Sequence, residues 1–263
     1  MANLSLSARD INVLEKIKDP ESDPTTGVSI DASLPSDPHI RDDSTYLRVS
    51  QREKEIVFSM QQLELQLAGV RPKSNEDPAD NYREALSSLD DLIKDHPNYA
   101  SARNNRAQAL RRLYGDSILV SERPPNSQAL LQEVGDAERK QAAVTLLTDL
   151  DQSVALLSPR PYSPISQQAA RTLSMAHTQR AAIYHTTSKL LASATLSVDS
   201  SRREAGWKRL EFEEAASRDF AMGGRYGNDI AKGLAVSTNP TAKLCGQIVR
   251  EAMRKEYGDI FTG

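Results

Sequence analysis

The chain has 263 residues, with 33 Lys and Arg against 36 Asp and Glu, a net charge of −3 and 38% hydrophobic residues. That composition suits one globular domain with a tail, at about 150 residues per domain, and its balanced charge offers no general field for nucleic acid. A single cysteine, Cys245, forbids an intrachain disulfide, and no apolar run approaches the roughly 18 residues that a membrane span requires. The stretch from Met1 to Asp10 holds no apolar signal core, and Ala2 in place of glycine removes the myristoylation site. The C-terminal residues Ile260 to Gly263 include no prenylation cysteine. The expected location is the cytoplasm, with the nucleus open.

Along the chain, Ile11, Val13, Leu14 and Ile17 behind Asp10 predict a short amphipathic helix over Ser7 to Lys18. Asp19 to Thr45 then turns to Asp, Ser, Pro and Thr, and proline removes helix from its own position and the one before. This stretch is expected to be a disordered or extended linker. Its one PxxP, Pro35 to Pro38, sits among acids and makes a poor Pro-rich ligand.

From Tyr46 the pattern is helical. Tyr46 to Ala68 places Leu47, Ile56, Val57, Met60, Leu63 and Leu67 on one side and runs to Gly69 without Gly or Pro. After a polar loop over Arg71 to Asp80, Asn81 to Asp95 repeats apolar residues at helical spacing and is closed by Pro97. Ala100 to Leu113, Ala137 to Leu157, Gln167 to Leu190 and Ser200 to Met222 are the next four helices, the last with Leu210, Phe212, Ala215, Ala216 and Phe220 as its buried side. Gly223-Gly224 is expected to terminate that helix as a C-cap loop. Asp229 to Val236 and Pro240 to Tyr257 complete the set, proline being well suited to a first helical turn.

Successive antiparallel helices invite a search for a repeat. A helix-turn-helix unit of the tetratricopeptide type needs a small residue where its two helices cross, a larger plug one turn later, and a proline after the second helix. Ala85 and Leu89 before Pro97 have that spacing, Ala216 and Phe220 repeat it, and Leu146 and Leu150 with Pro159 are a weaker copy. Three copies predict an all-α helical solenoid of about three repeats. The expected layout is an N-terminal arm over 1–45, a repeat domain over 46–226 divided near 46–97, 98–159 and 160–226, and C-terminal capping helices over 227–263.

The segment Tyr99 to Ala109 (Tyr-Ala-Ser-Ala-Arg-Asn-Asn-Arg-Ala-Gln-Ala), Ser217-Arg218-Asp219-Phe220 and Asn239-Pro240 with Ala242 to Cys245 resemble the tetratricopeptide repeat protein 36 family. Val13-Leu14 with Asp19-Pro20 resembles that family's opening. Inserts over Pro72 to Asp80, Tyr114 to Gln141 and Thr186 to Ser201 depart from it, as in a fungal-like elaboration. The resemblance implies a cytosolic, non-enzymatic adaptor that binds an HSP70-type chaperone and is linked to tyrosine metabolism.

The inner face of such a solenoid is lined by the first helix of each repeat. Asn104, Asn105, Gln108, Arg111 and Arg112 are the polar set expected to project into the groove, with Arg180 from the third repeat. Asn offers a donor and an acceptor to a peptide backbone, and Arg can hold a carboxylate with two bonds. By resemblance to clamp-type tetratricopeptide domains, Asn105 matches the Asn that holds a chaperone tail's carboxylate. The other four clamp positions carry Gln66, Val70, Met175 and Gln179, so the resemblance implies no complete clamp. Arg180 lies one place beyond the clamp Arg, a rotation of about 100°.

Catalytic signals are weak. His39, His96, His177 and His185 have no HExxH or CxxC partners and are expected at the surface or at caps. Asp90-Asp91 and Glu213-Glu214 are neighbours that diverge by about 100° and are expected to be solvated. No phosphate loop or nucleophile elbow occurs, and no metal or cofactor is expected. Cys245 and Trp207 read as core residues, and the Arg202, Arg203, Lys208, Arg209 cluster has no interleaved aromatics to make a nucleic-acid platform. The expectation is therefore an adaptor that is not an enzyme, whose partner is a protein, an HSP70-type chaperone or an enzyme of tyrosine breakdown. The alternative is a self-assembling scaffold whose solenoid ends stack.

Overall fold

The computed structural model describes residues 28–72, 75–160 and 163–257. The expected Ser7 to Lys18 helix lies outside them. The described chain forms α1 (Asp43–Leu67), α2 (Pro78–Asp95), α3 (Ala100–Tyr114), α4 (Asp136–Leu157), α5 (Gln167–Leu190), α6 (Arg209–Arg225), α7 (Asp229–Thr238) and α8 (Pro240–Tyr257), with a 3₁₀ turn over Arg203–Gly206. Among the described residues the only sheet-like pairings are two isolated bridges. The fold is an all-α helical-repeat solenoid. Each helix packs on the next, and α3 also touches α5, as adjacent first helices do in a stacked array.

Local chemistry sets the helix ends. Asp42 caps α1 by accepting from the Thr45 N–H at 2.7 Å, and the same hydrogen bonds, led by those of the Thr45 and Ser44 side chains, pull its carboxyl down to about 2. Asp77 caps α2 with Pro78 behind it, and Ser166 caps α5. The small-then-large pairs of the repeat are in the core: Ala85 with Leu89, Leu146 with Leu150, and Ala216 with Phe220 are all buried. The main core joins α3, α4, α5 and α6, with Tyr184, Trp207 and Phe212 meeting edge to face.

Several expectations change. Of the Asp19 to Thr45 linker, the described part from Val28 to Asp42 is extended along the body, one of the two states expected, and Asp43 to Thr45 already belong to α1: Ile30 bridges Ile165, and the His39 Nε2 lies 3.0 Å from the Leu156 carbonyl. The second and third inserts fold against each other, because Ser121 donates to Thr195 and Ser197 to Leu119 while Ile118, Leu119 and Val120 are buried. The helix expected over Ser200 to Met222 is split by Trp207-Lys208 into the 3₁₀ turn and α6. Leu210, expected inside, is exposed, and so is Leu47.

Gly223 and Gly224 are not a terminating loop. They sit inside α6 where α7 crosses it, and a Cβ on Gly224 would lie 2.8 Å from the Lys232 Cα. At this helix end the glycine with a left-handed backbone is Gly227, at φ +106°. Cys245, expected in the core, is exposed on α8.

Candidate functional site

The first helices α1, α3 and α5 lie side by side, and polar residues dominate the seams between them. On α3, Asn104 is 1% exposed and Asn105 8%, so neither projects into a groove. Asn105 donates to Glu53 Oε1 of α1 at 2.7 Å, and Tyr99 donates to Glu53 Oε2. Burial drives the Glu53 carboxyl above its ordinary range, against the Tyr99, Ser101 and Asn105 hydrogen bonds; nearby Asp37 adds to the rise. Asn104 accepts from the Gln179 amide of α5 at 2.8 Å. The Asn pair is therefore mortar between repeats, which corrects its assignment to ligand binding.

Arg180 is corrected in the same way. Its guanidinium grips Asp219 of α6 with two bonds of 2.7 Å and reaches Asp151 of α4 at 2.6 Å. Asp151 continues the network to Arg202, which pairs with the fully buried Glu204, and Glu204 accepts from the Tyr184 hydroxyl at 2.7 Å. Burial opposes ionisation of Asp219, but Arg180 and His177 outweigh it and hold the carboxyl below its usual range. His177, expected at the surface, is buried with Nδ1 2.8 Å from Asp219 and its ring stacked on Tyr226. Glu213, expected to be solvated, is mostly covered and pairs with Arg209.

The remaining candidates converge. Gln108 is exposed, and with Arg111 and Arg112 it lines a cleft of about 540 Å³ between the C-terminal half of α3, Glu64 of α1, Thr186 of α5 and the insert segment Pro124 to Ala129. Arg111 holds Asp116 through two bonds of 2.7 and 2.8 Å. Arg112 donates to Glu64 at 2.7 Å and to the Gln128 carbonyl of the insert. Tyr82 shares the same Glu64 oxygen at 2.6 Å. Polar side chains line most of the cleft, with the exposed amide of Gln108 and two arginines whose present partners, Asp116 and Glu64, are themselves partly exposed. It can pair with an extended backbone and exchange a carboxylate, chemistry that suits a peptide segment.

Sequence reasoning missed the acids that organise these seams. Glu53, Glu64, Asp149, Asp151 and Glu204 carried no motif, although Asp149 anchors Arg103 and Arg106 from the Tyr99 to Ala109 segment. Among the described residues no cluster of His, Cys, Asp or Glu is arranged to hold a metal ion, and no helix is long and apolar enough to cross a membrane.

Stacked helical hairpins with a polar cleft on the first-helix face define a tetratricopeptide-type repeat protein. Comparison over the whole chain makes this specific. The chain is 38% identical over 266 residues to "L-tyrosine degradation gene cluster protein hmgX" of Aspergillus fumigatus, covering 97% of this chain and 95% of that protein. It is 27% identical over 250 residues to "Tetratricopeptide repeat protein 36 homolog" of Drosophila pseudoobscura pseudoobscura, covering 95% of each. The chain belongs to the tetratricopeptide repeat protein 36 family. No family profile matches it. No solved structure matches it either.

Proposed function

We propose that this protein is a non-catalytic adaptor whose α3 cleft docks an extended segment of an enzyme of tyrosine breakdown. The observation that carries the reading is the pairing of a preformed peptide-sized cleft at Gln108, Arg111 and Arg112 with whole-length similarity to a protein named for a tyrosine-degradation gene cluster. In this mechanism the Gln108 amide pairs with the partner's backbone, and an acidic side chain of the partner takes one lobe of Arg111 or Arg112 in exchange for Asp116 or Glu64. The helices are already packed, so docking orders the partner segment and little else.

An HSP70-type chaperone is a second partner implied by the family. A carboxylate clamp does not support it, because Asn105 is committed to Glu53, Gln179 to Asn104, and Met175 and Val70 offer no charge. Such a chaperone would use another surface.

The test is titration of the full chain with each purified enzyme of tyrosine breakdown in turn, using the intact protein and Gln108→Arg. Gln108 is exposed, so the variant leaves the seams untouched. Binding of one enzyme, weakened by the variant, is the expected result. Binding of none, or binding indifferent to Gln108→Arg, removes the cleft as the docking site.

A further inference from the structure

In a stacked repeat protein the last repeat needs a polar outer face, because nothing further covers it. The last described helices have a different outer face. On α8, Leu244 and Ile248 stand one turn apart, as do Val249 and Met253, and these four side chains are 46–57% exposed. The helix touches α6 and α7 only lightly, with Lys243 3.9 Å from Glu213, and its described residues from Thr241 to Lys255 are all exposed, so its apolar arc is open to solvent. On α7, Ile230 and Val236 are also exposed. Among the described residues the C-terminal pair of helices is a layer without a cover.

At the other end of the array, α1 and α2 form a groove of about 540 Å³. Ile56 and Leu63 line it, Phe58 stands exposed at its edge, and Glu55, Glu76 and Glu84 ring it. None of these three glutamates is in an ion pair among the described residues. The described side chains of α8 include Lys243, Arg250, Arg254 and Lys255 against Glu251, so an amphipathic helix with a basic surround meets a groove whose apolar strip, Ile56, Phe58, Leu63 and Ala85, has an acidic surround.

We propose that α8 of one copy seats in the α1–α2 groove of a second copy of this chain. The two elements match in length as well as charge: α8 and α2 each have 18 residues, about 27 Å of helix. They lie in the first and last helical pairs of the array, so the contact joins different copies and is heterologous, giving a ring or an open string. Pairing of α8 with a second α8 would instead set basic side chains against each other. The inference does not depend on the adaptor reading, since the cleft at Gln108 is a different surface.

Sedimentation velocity on the full chain across a dilution series tests it, with two variants whose helicity is checked by circular dichroism. The tail variant carries Ile248→Glu and Met253→Glu, and the groove variant carries Glu55→Lys and Glu84→Lys. The intact chain should gain mass with concentration, and either variant should self-associate at least about a hundredfold more weakly. An equimolar mixture of the two variants should form a dimer and nothing larger, because one intact tail and one intact groove remain. An intact chain that stays monomeric overturns the proposal, as does association that ignores either variant or a mixture of folded variants that fails to pair. Binding of a monomeric intact chain to vesicles of phosphatidylserine and phosphatidylcholine would also overturn it, and would assign the α8 face to a membrane surface.

Discussion

Asp219 and Glu53 are both buried acids that join neighbouring helices, and they differ in what faces them. Asp219 lies between the two-bond fork of Arg180 and the His177 ring, and its carboxyl is held below the ordinary range. Glu53 faces Tyr99, Asn105 and Ser101, with Asp37 and Tyr46 near it and no ion-pair partner among the described residues; burial pushes its carboxyl up. The comparison separates two ways of placing an acid in a helix interface. One commits charge to a matching charge, so that either partner alone is costly; the other needs only a hydrogen-bond acceptor, and the charge itself is a burden.

The sharpest way to break this comparison is to remove one member of the charged seam. Asp219→Ala leaves the Arg180 guanidinium, only 12% exposed, with Asp151 alone. The expected loss is about 3–5 kcal/mol in urea unfolding at neutral pH. A loss under about 1 kcal/mol would mean that Asp151 suffices and that the α5–α6 seam is held by apolar packing. The next effect down is steric, at the same end of the molecule. Gly224→Ala drives a methyl into the Lys232 backbone and should cost about 1–3 kcal/mol, with faster hydrogen exchange in α7 than in α3.

Smaller again, and opposite in sign, is the neutral seam. A carboxyl whose folded pKa is raised favours the folded state most fully below its unfolded pKa, and that contribution is lost as pH rises through the folded value. The parent should therefore weaken from mildly acidic toward neutral pH through Glu53. Glu53→Gln keeps an acceptor for the Asn105 amide, turns an NH2 donor toward the Tyr99 hydroxyl oxygen, and carries no charge to desolvate. It should be more stable than the parent at neutral pH, and the gap should close on acidification. Asp219 runs the other way: its lowered pKa gives stability that is present above the unfolded value and lost only as pH falls through the folded one. Urea titrations at several pH values, parent beside Glu53→Gln, read both arms.

The helices were legible in the sequence, and most of the site was not. Gln167–Leu190 and Pro240–Tyr257 match the expected limits because capping residues, proline and apolar spacing are local signals. Helical periodicity also found the polar side of α3. It could not tell how closely another helix covers that side, since Asn105 meets Glu53 across 52 positions and Asn104 meets Gln179 across 75. The middle repeat loses its polar face to neighbours on both sides, and only its C-terminal turns, from Gln108 to Arg112, open into the cleft. The same limit explains Gly223 and Gly224, where a pair that reads as a helix stop is instead the close crossing of α6 and α7. The family segments belong to this account too: Arg103 and Arg106 hold Asp149, and Asp219 holds Arg180, so these residues of the resemblance mark joints between the two helices of one repeat.

The smallest expected effect tests whether burial, rather than charge pairing itself, makes the difference. Arg52 of α1 and Asp95 of α2 form an ion pair at 2.9 Å with side chains 43% and 58% exposed, so water already solvates both ions. Arg52→Ala should change stability by no more than about 0.5 kcal/mol and should lose even that in high salt. The pair joins consecutive helices as Arg180 and Asp219 do, at a similar distance, and its burial differs most. A ratio of several-fold between Asp219→Ala and Arg52→Ala places the strength of the charged seam in its exclusion of water. Equal losses would instead assign it to the identity of the helices joined, and the contrast between Asp219 and Glu53 would then have to rest on position in the array.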